Sequence, residues 1–199
     1  MKRDFNISRY LPGCLTAGLF FFILVSLWQV RCSFAQEATI NDFTVTNSES
    51  HLLLYLTVVD WFTHDMEDAI HNGIPITIAF KIELFAERLK WPDTKIIEHE
   101  FNHIMEYDSL KKEYKVDRNE QDDTRIISSL EEALKLMSEI NGFKVLPLDE
   151  LEPQLSYKLR AKAKLARKTL PLSFHYLMPF SSPWDFETAW YELTLKLAP

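Results

Sequence analysis

One stretch of the chain has residue types and spacing that could do chemistry. It is His99-Glu100-Phe101-Asn102-His103, an HExxH pattern inside the block from Trp91 to Val116. On an α-helix, histidines four positions apart stand one turn from each other, with Cβ atoms about 6 Å apart, so both imidazoles reach one tetrahedral zinc. The glutamate between them then acts as general base on metal-bound water, the arrangement of a small zinc-dependent hydrolase. Ile97, Phe101, Ile104 and Met105 share a helical face on that reading, and Glu131 or Glu132 could supply a third ligand.

The same residues also fit a strand. Ile97, His99, Phe101, His103, Met105 and Tyr107 then lie on one side, and Ile96, Glu98, Glu100, Asn102, Ile104 and Glu106 on the other. Extended backbone at ~3.3 Å per residue puts His99 and His103 about 13 Å apart, too far to share an ion, and turns Glu100 to the opposite face. Secondary structure therefore decides the chemistry. The flanking segments read as strands, and neither a glycine nor a third histidine follows at the spacing of the extended zinc signatures. The expectation is a strand with no catalytic residue, metal or cofactor; a zinc hydrolase using His99 and His103, with Glu100 as base, is the alternative.

Other chemistries have less support. Only four glycines are present, too few for a glycine-rich phosphate loop, and no Ser-His-Asp order can be assigned. His64, His71 and His175 are single and scattered. Lys158, Arg160, Lys162 and Lys164, with Arg167 and Lys168 beyond, put six positive charges into eleven residues. That stripe is the candidate binding surface, toward an anionic envelope component or an acidic partner; its plain reading is a solvated strand face. The C-terminal aromatics Trp184, Phe186, Trp190 and Tyr191 complete a core or, failing that, form a recognition platform.

The N-terminus reads as a targeting segment. Lys2, Arg3 and Arg9 precede an uncharged apolar run of 16 residues, Leu15 to Val30, and Ser33-Phe34-Ala35 suits signal-peptidase cleavage. As a helix the run is about 24 Å long, short for a span and long for a signal core. Residues 1–35 are expected to be a signal peptide cleaved after Ala35 or an anchor retained in the inner membrane through residues 15–30. Either way the body faces the periplasm. Cys14 and Cys32, the two cysteines, both lie in this leader, so the body has no thiol for a disulfide, a nucleophile or a metal.

Removing Lys2, Arg3, Arg9 and Arg31 from 22 basic residues leaves 18, and removing Asp4 from 29 acidic ones leaves 28, a net of −10 for residues 36–199. Nucleic acid is a poor candidate partner for such a charge, and none is expected.

The body alternates throughout in ways that predict strands. Ala38–Val45 and Leu52–Phe62 flank a polar turn, and the second is apolar on both faces, which places it centrally in a sheet. Thr63 caps a short helix that His71-Asn72-Gly73 stops. Ile74–Leu84 keeps period two over eleven residues. Glu113–Asp117 and Arg125–Ser128 are short strands around a polar loop, Arg118 to Thr124. Ser128 and Ser129, each with a glutamate three positions on, open a longer helix with Leu130, Ala133, Leu134, Met137 and Ile140 on one face and Asn141-Gly142 as its end. Phe143–Leu148, Tyr157–Leu165 and the C-terminal alternation of Tyr191, Leu193, Leu195 and Leu197 are further strands.

Several landmarks follow in order along this body: Leu56-x-x-x-x-Trp61, Ala69-Ile70-x-x-Gly73-Ile74-Pro75, Trp91-x-Asp93, Tyr107-Asp108-x-Leu110-x-x-x-Tyr114-x-Val116, Ser129-Leu130-x-Glu132-Ala133-Leu134, Leu170-Pro171 and Trp184. In that series, over residues 38–197, the chain resembles domain-of-unknown-function family 4390, uncharacterised bacterial envelope proteins. The resemblance implies an exported or membrane-tethered single domain with no established activity, cofactor or ligand. It also implies that HExxH is incidental, since the family pattern has no paired histidines there.

The expected fold is mainly β (α+β). It is one β-sandwich-like domain over residues 36–199, with about eight strands, one short and one longer helix, and an apolar targeting helix in front. The expected function is that of a non-catalytic interaction module of the cell envelope, bound to an envelope protein or anionic component.

Overall fold

The computed structural model describes residues 38–88, 92–166 and 186–196. The expected targeting helix lies outside them, as do Trp91, Arg167, Lys168, Leu170, Pro171, His175 and Trp184. Among the described residues the chain forms nine strands and two α-helices. In order they are β1 (Thr39–Asn47), β2 (His51–Val59), α1 (His64–His71), β3 (Ile76–Ala86), β4 (Thr94–Asp108), β5 (Glu113–Arg118), β6 (Asp123–Ile127), α2 (Leu130–Ser138), β7 (Glu139–Pro147), β8 (Ser156–Leu165) and β9 (Tyr191–Lys196). The fold is mainly β, with antiparallel pairing throughout: a three-stranded sheet in the order β1-β2-β7 and a six-stranded sheet in the order β6-β5-β4-β3-β8-β9.

The two sheets face each other across one core. Leu52, Leu54, Leu56 and Val58 of β2 meet Ile76, Ile78, Phe80, Ile82 and Leu84 of β3, together with Leu159, Ala161 and Ala163 of β8. Period-two alternation requires this, because every second side chain of a strand shares a face and the apolar face must leave water. Each fully buried isoleucine or leucine stabilises the sandwich by roughly 1.5–3 kcal/mol over an exposed one. Aromatic contacts cross between the sheets: Phe43 of β1 lies 4.9 Å from Tyr191 of β9, and Phe143 of β7 lies 4.9 Å from Phe101 of β4. β2, apolar on both sides, is the central strand of its sheet, as its sequence requires.

The helices begin where the sequence places them. The Thr63 hydroxyl accepts from the Met66 amide, and the Ser129 hydroxyl accepts from the Glu132 amide. Gly73, at φ 82°, ends α1, with its amide on the Ile70 carbonyl and the Ile74 amide on that of Ala69.

The end of α2 differs from expectation. The helix stops at Ser138, and Ile140, expected on its apolar face, belongs to β7 opposite Leu56. Ladder pairing with β2 outweighs continued helical periodicity here. Gly142, expected as the helix stop, is instead the extra residue of a β-bulge between the pairs Leu54–Phe143 and Tyr55–Asn141, with φ 71°.

Candidate functional site

β4 is a strand along its whole length, and HExxH lies in its middle. In its register with β3, Ile82 pairs with His99, Lys81 with Glu100, Phe80 with Phe101 and Ile78 with His103. Both histidines face the core and Glu100 faces out, so the three groups do not converge and the helical zinc geometry is not formed. Glu131 and Glu132, the expected third ligands, are exposed in the first turn of α2.

Both imidazoles turn toward the continuous segment α2–β7 and bond its main chain. His99 Nε2 donates to the Val145 carbonyl at 2.7 Å, and its ring meets Phe143 edge-on at 5.2 Å. Val145 is itself the extra residue at a register shift of β7, between the pairs Leu52–Leu146 and Leu53–Lys144. A carbonyl set apart from the regular ladder needs a donor, and the imidazole supplies one. His103, fully buried, donates from Nδ1 to the Met137 carbonyl at 3.0 Å, near the end of α2 where carbonyls lack helical partners. Its Nε2 lies 3.0 Å from Glu120 Oε2, and neither side chain of that pair is exposed. The spacing of a zinc motif thus anchors one strand to the helix–strand segment packed over it.

The opposite face of the six-stranded sheet carries the basic stripe. Lys158, Arg160, Lys162 and Lys164 point outward from β8 while Tyr157, Leu159, Ala161 and Ala163 point into the core. Each of the four cations has an acidic neighbour. Lys158 pairs with Asp93 at 3.1 Å and lies 3.8 Å from Glu87; Lys162 pairs with Glu187; Lys164 lies 3.9 Å from Glu100. Arg160 reaches Glu83 of β3 at 2.6 Å and Glu192 of β9 at 3.8 Å, with its guanidinium between the rings of Phe85 and Trp190 at 4.7 and 4.3 Å.

Glu83 is the hub of this lattice. It is only 2% exposed on an outward-facing position, and both of its oxygens are used. Arg160 bonds one oxygen; Lys95, at 2.7 Å, and Lys81, at 3.6 Å, approach the other. Both lysines also hold Glu98 at 2.5 Å. Burial pushes the Glu83 carboxyl up, but hydrogen bonds and charge from Lys95 and Arg160 outweigh it and bring the net below the usual range. Glu98, hydrogen-bonded by Lys81 and then Lys95, is lowered to about 2. The ammonium groups of Lys81, Lys95 and Lys158 are correspondingly raised by the hydrogen bonds to their carboxylates.

The family model for a domain of unknown function, DUF4390, matches residues 35–194. The chain belongs to the DUF4390 family. Neither the curated proteins nor the solved structures include a match to it.

Two important residues of this DUF4390 domain are not marked in its sequence. Glu120 lies in a polar turn, where a carboxylate is expected in water, yet its side chain is fully buried. Glu83 alternates outward on β3 like any solvated strand residue. The available signal was indirect: a histidine at an inward position of a long strand must find a partner. The C-terminal aromatics divide between roles, with Phe186 buried 6.2 Å from Trp61 and Trp190 on the outer face over Arg160.

Proposed function

We propose that the DUF4390 domain is an exported, non-catalytic interaction module of the bacterial cell envelope. The observation that carries this reading is the use of the paired histidines: His99 and His103 are committed to the Val145 and Met137 carbonyls and face the core. Groups that would bind a metal serve instead to join β4 to α2 and β7. The basic leader and apolar run support export, with release after Ala35 or tethering through residues 15–30 in the inner membrane. The partner is an envelope protein or an anionic envelope component that meets the Lys158, Arg160, Lys162 and Lys164 face. Such a ligand competes with carboxylates already paired to those cations, so its binding weakens as salt rises.

Metal analysis of the purified protein, beside an envelope pull-down, tests this reading. We expect far less than one zinc per chain, and capture that falls when Lys158, Lys162 and Lys164 are changed to glutamine. Near-stoichiometric zinc that disappears in His103→Ala reverses the non-catalytic conclusion. Capture unchanged by the glutamine variants removes the stripe from the interface.

A further inference from the structure

The hydrogen bonds of His103 fix a proton count. The Met137 carbonyl can only accept, so Nδ1 carries a hydrogen. The 3.0 Å contact between Nε2 and Glu120 Oε2 needs one more hydrogen, on the nitrogen or on the oxygen. With it the pair has no net charge in either arrangement, imidazolium with carboxylate or imidazole with carboxylic acid. Without it a carboxylate faces a nitrogen lone pair. With a second hydrogen the pair becomes a cation whose added O–H on Oε1 has no acceptor, since Oε1 is buried without a hydrogen-bond partner among the described residues. Both side chains are fully shielded, so both charged states are disfavoured.

Among the described residues, the groups against His103 are mostly apolar, with one buried cation, Arg118, beside them. From β3, the residues against His103 are Phe80, whose ring is 4.7 Å away, and its register partner Ile78. From β4 itself they are Phe101 and Met105, and from α2 the Met137 carbonyl. From β5, Arg118 stands opposite His103 in the register; its terminal nitrogen is ion-paired to Asp123 of β6, while its Nε is buried without a hydrogen-bond partner among the described residues. From α1, His71 reaches only farther along the strand, where it bonds Tyr114 beside Tyr107.

We propose that His103 and Glu120 share a single proton, and that this proton latches the β5–β6 turn, residues 119–122, onto the core beneath α2. Withdrawing it opens the turn. Otherwise the turn is held by the Asn119 amide on the Asn102 carbonyl, by the Gln121 amide on the Arg118 carbonyl and by the Arg118–Asp123 pair, with Asp122 at φ 48°. The latch is independent of the interaction-module reading and stands or falls separately.

Hydrogen–deuterium exchange of the full chain in detergent tests it, between about pH 7.5 and about pH 10, a range above the titration of a free imidazole. After correction for intrinsic exchange, protection of the 119–122 peptide in the wild type falls about tenfold or more toward the alkaline end. In Glu120→Gln the carboxamide donates to Nε2 and has no proton to lose, so protection persists across the range. In Glu120→Ala protection is low throughout; should that variant fail to fold, the comparison of wild type with Glu120→Gln still decides. A flat wild-type profile, or a Glu120→Gln profile that falls in step with the wild type, overturns the latch. So does a ring-nitrogen NMR spectrum in which His103 Nδ1 loses its hydrogen while the turn stays protected.

Discussion

Two carboxylates of this sandwich are withdrawn from water in different ways: Glu83 on the outer face of the six-stranded sheet, and Glu120 beneath its inner face. Glu83 has three cationic neighbours and both oxygens bonded. Those cations are long side chains about a third or more exposed, at 34% for Lys81, 41% for Lys95 and 30% for Arg160. Among the described residues Glu120 has one side-chain partner, His103, with one bonded oxygen and a side chain that is fully buried. Snorkelling cations can turn back to water when their partner is removed, because their stems bury while their heads remain wet. A sealed imidazole cannot. The same chemical group is therefore replaceable in one setting and obligatory in the other, and removing each in turn tests the contrast.

The largest effect is expected at the sealed pair. His103→Ala removes the group bonded to the buried Glu120 carboxyl and should destabilise the domain by about 3–5 kcal/mol, the usual cost of breaking a buried pair from one side. Denaturant unfolding measures it. His103→Gln, which keeps a donor toward the carboxylate, should recover part of the loss. Equal losses in the two variants would mean that imidazole packing, not the bond to Glu120, holds this site.

A smaller effect is expected at the lattice hub. Glu83→Gln keeps the shape of the side chain and removes the charge that three exposed cations share. The expected cost is about 1–2 kcal/mol, that of hydrogen bonds to a charged group reduced by the water available to the cations. A loss as large as that of His103→Ala would erase the distinction between the two settings.

The smallest effect concerns acid. The Glu98 carboxyl is lowered from 4.5 to about 2 by the hydrogen bonds of Lys81 and Lys95, and that of Glu83 is also lowered. A depressed carboxylate contributes stability that is fully present above its unfolded value and is lost as pH falls through its folded value. Melting temperature should therefore fall more steeply between about pH 4.5 and about pH 2 in the wild type than in Glu98→Gln. Parallel curves would show that the outer lattice adds nothing to acid resistance.

Most of the architecture was legible because alternation is a local code. The two faces of β3 and β8 follow from period two alone; on β4, whose pattern also fits a helix, the inward set Ile97, His99, Phe101, His103, Met105 and Tyr107 follows once its flanking segments are read as strands. The hydroxyl cap at Thr63 was equally legible, since a cap needs only its own next three residues, and the second cap was narrowed to Ser128 or Ser129, of which Ser129 takes the role. The end of α2 was not legible. Leu130 to Ile140 reads as one amphipathic face, but the ladder with β2 claims Glu139 and Ile140. Asn141-Gly142 reads as a helix stop and proves to be part of a bulged strand, because the glycine's positive φ serves either use.

What the sequence determined by itself is the set of faces. With the stretch read as a strand from its neighbours, His99 and His103 turn the same way and Glu100 turns from both, which argues against a shared ion. Only the tertiary structure decided what each face meets. The partners of those histidines are a bulged strand carbonyl, a helix-end carbonyl and a carboxylate from a polar turn, none of which has a local signature. The cause is physical: alternation is set by the backbone within a few residues, whereas a buried polar group takes whichever donor or acceptor the packing of distant segments brings within hydrogen-bond reach.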